Sequence, residues 1–277
     1  MEAHAQVLAA HFPPVSSWRH FVYVAAALTA TEFKLRYFGS VLGYLWTLLR
    51  PLMLFGVLYV VFTHIVKFGE EVPHYPVVLL TGIVLFTFFS EATSGALASL
   101  VAHQNLLRKV SFPRAAIPVA VSLTAAANLA LGLVVVLGFA LVDGVEVRAT
   151  WLLFPLSVGA VIVLATAAGL LLAVLFVRYR DVRPIWEVVL QLVFWGTPII
   201  YTIEAVPESF RELLMFSPFA VAIEQARYWL VDPSAPTASE AIGGTERLLI
   251  PLAVFAVVLA LGYWALRRSE GRMAEDL

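Results

Sequence analysis

Six apolar stretches, each close to the length that a helix needs to cross a bilayer, dominate this sequence. They lie near residues 44–66, 76–101, 115–141, 151–177, 185–203 and 247–266. A helix needs about 20 mostly apolar residues to span the hydrocarbon core. Composition agrees, because 61% of the 277 residues are hydrophobic and 13% are charged, against about 25% charged residues in a soluble domain. The sequence therefore predicts an all-α, polytopic membrane protein whose single transmembrane domain covers residues 1–277.

Lysine and arginine are distributed unevenly between the two sides that this plan creates. With the amino terminus inside, five of the 18 cations lie outside and the remaining thirteen lie inside. The outside set is Lys67, Arg148, Arg211, Arg227 and Arg247. Because cytoplasmic segments of membrane proteins carry an excess of Lys and Arg, we expect both termini in the cytoplasm.

Residues 18–37 are predicted to form an amphipathic helix that lies in the membrane interface. The apolar run 21–30 has about half the length of a span, and its apolar positions recur at helical spacing. These positions are Trp18, Phe21, Val22, Ala25 and Leu28. A signal peptide is the alternative, since Arg19 precedes the run and small residues follow it. Cleavage would place Lys34 and Arg36 outside, against the charge distribution.

The loop 103–118 carries three cations and no acidic residue, together with apolar residues at the spacing of one helix face. A positive inner loop is ordinary in membrane proteins. Apolar side chains facing the cytoplasm, however, need something to cover them. We therefore predict that this loop docks a soluble partner through Leu106, Leu107, Arg108, Lys109, Phe112 and Arg114.

The longest interruption between apolar stretches, residues 204–246, contains two segments too short to span. Ser209–Phe216 and Phe219–Leu230 are separated by proline, which favours two short helices. A re-entrant pair would line an outer vestibule, because irregular backbone at membrane depth must be buried in protein or face water. Helices lying on the membrane surface are the alternative.

Glu91 is the acidic residue most difficult to explain as a simple membrane anchor. It lies near the middle of the second stretch, among Ser90, Thr93 and Ser94. Charged groups at that depth are costly and usually face protein or water, so we expect either a polar lining or an interhelical hydrogen bond.

Several chemistries are not expected of this chain. It has no cysteine and its six histidines are scattered, so we predict no metal site. No lysine follows a glycine, so the phosphate-binding G-x-x-x-x-G-K-[ST] loop is absent. We predict no catalytic residue and no cofactor in this chain.

Three blocks stand in order along the sequence. They are R-Y-F-G-S-x-L-G-x-L-W-x-L-x-x-P from Arg36 to Pro51; F-V-R-Y-R-D-V from Phe176, followed by T-P-I-I-Y from Thr197; and Ser217-Pro218-Phe219, leading to Arg227-Tyr228. In this order they resemble the ABC-2 type permeases that export O-antigen, capsule and teichoic acid polysaccharides. Thr197 stands where that family often has Ser, and Ser217 where it often has Asn.

The resemblance implies a homodimer of six-span subunits in a bacterial inner membrane. Two copies of a separate cytoplasmic ATPase would bind ATP and Mg and drive export of a lipid-linked polysaccharide, with no nucleic-acid partner. The interfacial helix and the loop 103–118 would receive motion from the ATPase. The short helices would form an outer gate, for which the candidates are Phe210, Leu214, Phe219 and Tyr228.

A channel between two permease chains would suit aromatic side chains, whose faces stack on sugar rings. The candidate lining residues are Tyr59, Phe62, Phe86, Phe89, Glu91, Phe194, Trp195 and Tyr201. Three alternatives remain at this point: an ABC-2 exporter of a drug or lipid, an ion-coupled transporter that titrates Glu91, and a membrane scaffold without cargo.

Overall fold

The computed structural model describes residues 18–37, 43–70, 72–109 and 113–271, and within these ranges the regular structure is helical throughout. Short 3-10 segments and one π turn, Val61–Ile65, join the α-helices. The α-helices are α1 (Trp18–Tyr37), α2 (Gly43–Val60), α3 (Tyr75–Ala102), α4 (Gln104–Lys109), α5 (Ala116–Val142), α6 (Phe154–Arg178), α7 (Val182–Trp195), α8 (Glu208–Met215), α9 (Pro218–Leu230), α10 (Ala238–Ala241) and α11 (Leu249–Gly271).

Five helical segments of the described chain are long and apolar enough to cross a membrane. They are Leu45–Ile65, Tyr75–Ala102, Ala116–Val142, Ala149–Arg178 and Thr245–Ala265. Five of the six predicted spans match these segments to within a few residues. The predicted all-helical, multi-pass class is therefore confirmed.

The predicted span 185–203 is wrong in its bounds. The structure has a helix of 14 residues, Val182–Trp195, and the chain then turns through Gly196, Thr197 and Pro198. Proline disfavours helical backbone at the residue before it, so the helix ends there although apolar residues continue to Ile203. The predicted span is too long because it follows the apolar residues past Pro198, which already indicates the end of the helix.

Helix α3 is the centre of the bundle and packs most extensively against α5 and α6. In its most apolar 18-residue window 72% of the residues are buried, compared with 11% for the α2 segment and 17% for the α11 segment. Small residues permit this packing: a Cβ added at Gly169 would lie 2.8 Å from the Cβ of Ala96. The α2 and α11 faces are left on the outside of the subunit.

Two short helices between α7 and α11, α8 and α9, form where the sequence predicts them. The structure gives Glu208–Met215 and Pro218–Leu230, each within one residue of the predicted segments. Helix α9 begins with Pro218 in its first turn and is capped by Ser217, whose Oγ accepts a hydrogen bond from the Ala220 N–H. Such a start satisfies an otherwise unpaired backbone donor.

Candidate functional site

The predicted docking element is a short helix held against α1 and the ends of two spans. Leu107 of α4 and Leu28 of α1 both pack against a buried cluster that contains Leu100 and Ile117. Leu107 therefore anchors α4 to its own chain. The side chains of Arg108 and Lys109, and all of Phe112, lie outside the described residues, while Arg114 is half-buried.

A second contact joins α1 to the end of α3, directly before α4. His103, the C-cap of α3, has Nε2 2.8 Å from Oε1 of Glu32 on α1 and Nδ1 2.9 Å from the Ser99 carbonyl oxygen. Both partners are hydrogen-bond acceptors, so each ring nitrogen that carries a proton can donate to one of them. The pair lies beside a cavity of about 430 Å³ between α1, α3 and α5. Glu32 and His103 are 71 residues apart and share no local pattern, so this pair could not be predicted from the sequence.

Several predicted channel and gate residues meet in one aromatic cluster between α3, α7 and α9. The ring centroids of Phe86 and Phe194 are 4.9 Å apart, and those of Phe89 and Phe219 are 4.8 Å apart. Trp186 of α7 joins them at 6.2 Å from Phe89. Phe89 and Phe219 are buried within this single chain, whereas Phe86 and Phe194 are half-buried.

The other aromatic channel candidates lie elsewhere. Tyr59 of α2 stacks on Phe55, which also meets the edge of Phe139 on α5. Phe62 lies in the adjoining π turn and packs against the main core. These rings belong to the α2 side of the subunit, so the predicted lining residues form two groups.

Helix α7 presents a continuous exposed stripe. Ile185, Val188, Leu192 and Trp195 recur at helical spacing and are each more than half exposed. Gln191 is also exposed, and Glu187 forms an exposed ion pair with Arg183. The Tyr201 hydroxyl donates to the Trp195 carbonyl oxygen at 2.9 Å, so Tyr201 braces the end of the helix that carries the exposed indole.

Glu91 takes the second of its two predicted environments. The Asn128 side-chain amide donates to Glu91 Oε1 at 3.1 Å, which links α3 to α5. This is an interhelical hydrogen bond of the kind that polar groups form inside membranes. Asn128, a polar residue within the third apolar stretch, is the partner of Glu91, and the sequence only weakly indicated this role.

Two buried residues of α9, Glu224 and Arg227, form an ion cluster with Glu204, which lies outside α9 and is exposed, and sequence reasoning missed this cluster. Arg227 Nη1 lies 2.9 Å from Glu204 Oε2 and 3.2 Å from Glu224 Oε1. Glu224 is completely buried, and its Oε2 has no hydrogen-bond partner among the described residues. The signal available was the Glu224-x-x-Arg227 spacing, which places both groups on one helix face.

Two carboxylates share one guanidinium in this cluster, and their different environments shift their pKa values in opposite directions. Burial raises the pKa of Glu224 to about 7, against the opposing effect of Arg227. Burial also acts to raise the pKa of Glu204, but the hydrogen bond from Arg227 and further hydrogen bonds hold it below its ordinary value. Glu204 therefore carries the charge, and Glu224 is the group that takes a proton near neutral pH.

The remaining gate candidates differ in exposure. Phe210 of α8 is exposed, whereas Leu214 and Tyr228 are half-buried. Leu214 packs on a small separate core that includes Met215 and Ile242. Phe219 and Leu214 therefore belong to two different hydrophobic clusters.

Comparison with known proteins gives a consistent result over most of the chain. The sequence model of the ABC-2 type transporter family matches residues 23–231. The O-antigen export system permease protein RfbA of Myxococcus xanthus is 32% identical over 194 residues, which cover 68% of this chain and 72% of that protein. RfbA of Klebsiella pneumoniae is 26% identical over 197 residues, covering 71% and 75% respectively. The polysialic acid transport protein KpsM of Escherichia coli is 22% identical over 209 residues, covering 73% and 78%.

Proposed function

Since this chain belongs to the ABC-2 type transporter family, we propose that it is the membrane permease subunit of a polysaccharide exporter. Its cargo is a lipid-linked polysaccharide of the O-antigen, capsule or teichoic acid class, moved outward across the bacterial inner membrane. The observation that carries the proposal is the match to O-antigen and polysialic acid permeases over about two thirds of the chain or more. These relatives favour a polysaccharide over a drug or a small lipid as cargo.

ATP hydrolysis belongs to a separate subunit in this proposal, present in two copies that bind ATP and Mg. The permease sequence has no phosphate-binding loop of its own. The unit formed by α1 and α4 is the proposed receiver of the ATPase motion. Its support is that Glu32 of α1 contacts His103 directly before α4, and that Leu28 of α1 and Leu107 of α4 pack against the same buried cluster.

Two permease chains form a homodimer with the channel between them. The support is the exposed face of α7, where Gln191 and the ion pair of Glu187 with Arg183 accompany the apolar stripe, because polar groups on a membrane helix usually face protein or water. Trp195 supplies an aromatic face and Gln191 an amide on that stripe. Stacking and hydrogen bonding of this kind suit a sugar polymer that must slide without binding tightly.

The proposed topology has six crossings with both termini in the cytoplasm. Helix α7 with the turn that follows it makes the fifth crossing, α1 lies in the inner interface, and α8 and α9 are re-entrant at the outer side. Burial of Thr197, Pro198 and Ile200 supports this plan, because non-helical backbone at membrane depth must be covered by protein. Residues 1–277 then form one transmembrane domain.

Purification of this chain from native membranes in mild detergent, with identification of the proteins that co-elute, tests the proposal. We expect a stoichiometric complex that hydrolyses ATP and transports lipid-linked polysaccharide in vesicles. Leu106→Asp should abolish complex formation while the chain still inserts, and the matched change Leu107→Asp should instead destabilise the chain itself, since Leu107 packs internally. An intact permease that binds no ATPase, or that transports a polymer without ATP, would contradict the proposal.

A further inference from the structure

A cavity of about 410 Å³ lies at the end of the bundle where α6, α9 and α11 begin. Its walls include Leu156 and Ala160 of α6, Ala222 and Trp229 of α9, and Leu252 of α11. The volume is within the range of pockets that hold small ligands. None of its described lining side chains is charged, so an ion or a charged headgroup has no partner inside it.

The cavity lies next to a close approach of two helices. At Gly262 the backbone of α11 comes so close to α6 that a Cβ there would lie 2.7 Å from the Ala167 carbonyl oxygen. Seven residues nearer the start of each helix, about 10 Å away along the axis, Ala160 of α6 and Phe255 of α11 line the cavity. Helix α9 closes the third side of this cavity.

Two polar groups lie among the apolar walls. Ser157 is 4% exposed, and its hydroxyl has no hydrogen-bond partner among the described residues. Gln225 accepts a hydrogen bond from the Ala238 N–H through Oε1 at 3.2 Å, which fixes its amide plane beside the cavity. A buried hydroxyl left unpaired costs free energy, so Ser157 indicates an occupant that carries an acceptor.

The cavity opens toward the lipid. Leu156 and Leu252 line it and are 62% and 60% exposed on two of the membrane-spanning segments. Because those faces meet hydrocarbon in a bilayer, the cavity is continuous with the acyl-chain region. Trp229 lies on its wall, and tryptophan is common where acyl chains meet headgroups.

We propose that this cavity is a binding site for a bilayer phospholipid, with an acyl chain between α6 and α11 and an ester carbonyl accepting from Ser157 and Gln225. The bound chain would fill the space under α9. The proposal needs only that the protein spans a membrane, so it stands apart from the identity of the cargo. A second copy of this chain seated on the same face is the competing occupant.

Photolabelling tests the site directly. The permease and its ATPase are reconstituted in phosphatidylethanolamine and phosphatidylglycerol vesicles with a trace of phosphatidylcholine that carries a diazirine in its acyl chain. After illumination we expect adducts concentrated on peptides that contain 156–160, 221–229 and 251–255, above the level on exposed Val163 of the same helix α6. Equal labelling of every exposed apolar residue would overturn the proposal.

Substitutions sharpen the test. Ala160→Trp fills the cavity and should reduce labelling there to the background level, whereas Val163→Trp, one turn away on an exposed face, should leave it unchanged. Ser157→Ala removes one hydrogen bond and should lower occupancy by about fivefold. If Ala160→Trp does not elute as an intact complex, Leu252→Trp blocks the opening from the exposed side instead. Labelling that survives both Trp variants would contradict the assignment.

The competing occupant has its own readout. The chain has no cysteine, so Leu252→Cys introduces a single thiol beside the opening. Oxidation to a disulfide-linked dimer would place a second copy on this face and overturn the lipid assignment. Monomer that retains acyl-chain adducts supports it.

Discussion

His103 and Glu32 connect the end of α3 to α1 through a contact of 2.8 Å, directly before the chain enters α4. His103 is thus the residue that joins a central membrane helix to the proposed ATPase-docking helix. Its second nitrogen is held by the Ser99 carbonyl oxygen, so the imidazole cannot leave Glu32 without also rotating away from α3. This geometry places α1, α3 and α4 under one constraint.

Removing either partner should weaken coupling more than it weakens folding. Glu32→Gln and His103→Phe should each lower the free energy of unfolding by about 1 kcal/mol, and the double variant should cost less than the sum. Polymer exported per ATP hydrolysed should fall in both single variants. A double-mutant cycle in detergent with a parallel transport assay measures both quantities. Strictly additive stability effects would show that the pair is not an energetic unit.

Glu224 should make the region around α9 more stable at mildly acidic pH. Its folded pKa of about 7 lies above the ordinary value of 4.5, so the folded state binds this proton more tightly than the unfolded state. The resulting stabilisation is complete below about pH 4.5 and is lost as the pH rises through 7. Glu204, with its lowered pKa, loses its contribution only at lower pH.

The melting temperature followed by tryptophan fluorescence checks this sign. The wild-type protein should melt at a higher temperature at pH 5.5 than at pH 8, by the difference that one titrating carboxyl contributes. Glu224→Gln should remove that difference, and Glu204→Gln should retain it. A wild-type protein whose melting temperature rises between pH 5.5 and 8 would contradict the assignment of the proton to Glu224.

Substitution of Trp195 should affect transport, whereas substitution of Phe89 should affect stability. Trp195 is 61% exposed and Phe89 is 5% exposed, although both were predicted to line the channel. Trp195→Ala should change stability by less than about 0.5 kcal/mol and slow export. Phe89→Ala should cost about 3–5 kcal/mol, because it empties a packed position. Export assays beside thermal melts distinguish them, and unchanged export by Trp195→Ala would remove this residue from the channel.

Gly262 should tolerate no side chain. An added methyl group would meet the Ala167 backbone at 2.7 Å, and backbone atoms cannot rotate away, so Gly262→Ala should destabilise the protein by about 1–3 kcal/mol. Gly138→Ala is the matched control, since open space surrounds that helical glycine, and it should stabilise by up to about 1 kcal/mol. Thermal melts compare the two. Equal stability of both variants would disprove the close approach of α6 and α11.

The apolar stretches predicted most helices because their lengths and proline boundaries are local properties. The ends of Tyr75–Ala102 and Pro218–Leu230 each lie within one residue of the predicted ends. The end of α7 was predicted too late because apolar residues continue beyond Gly196, Thr197 and Pro198, where the helix has already ended. Contacts between distant segments were not accessible: neither the Glu32–His103 pair nor the Glu204–Arg227 pair leaves a periodic signal, and the burial of Phe89 depends on where α9 folds back.

The shortness of α7 bears on the energetics of moving a hydrated chain across a bilayer. Fourteen residues rise about 21 Å, roughly two thirds of the 30 Å hydrocarbon thickness. Beyond Trp195 the wall is protein, since Pro198, Ile199 and Ile200 are buried and the Tyr75 hydroxyl donates to the Ile200 carbonyl oxygen. In the proposed channel, the stretch of a polar polymer that exchanges water for contacts with the exposed α7 stripe is therefore about 21 Å long, shorter than the hydrocarbon is thick.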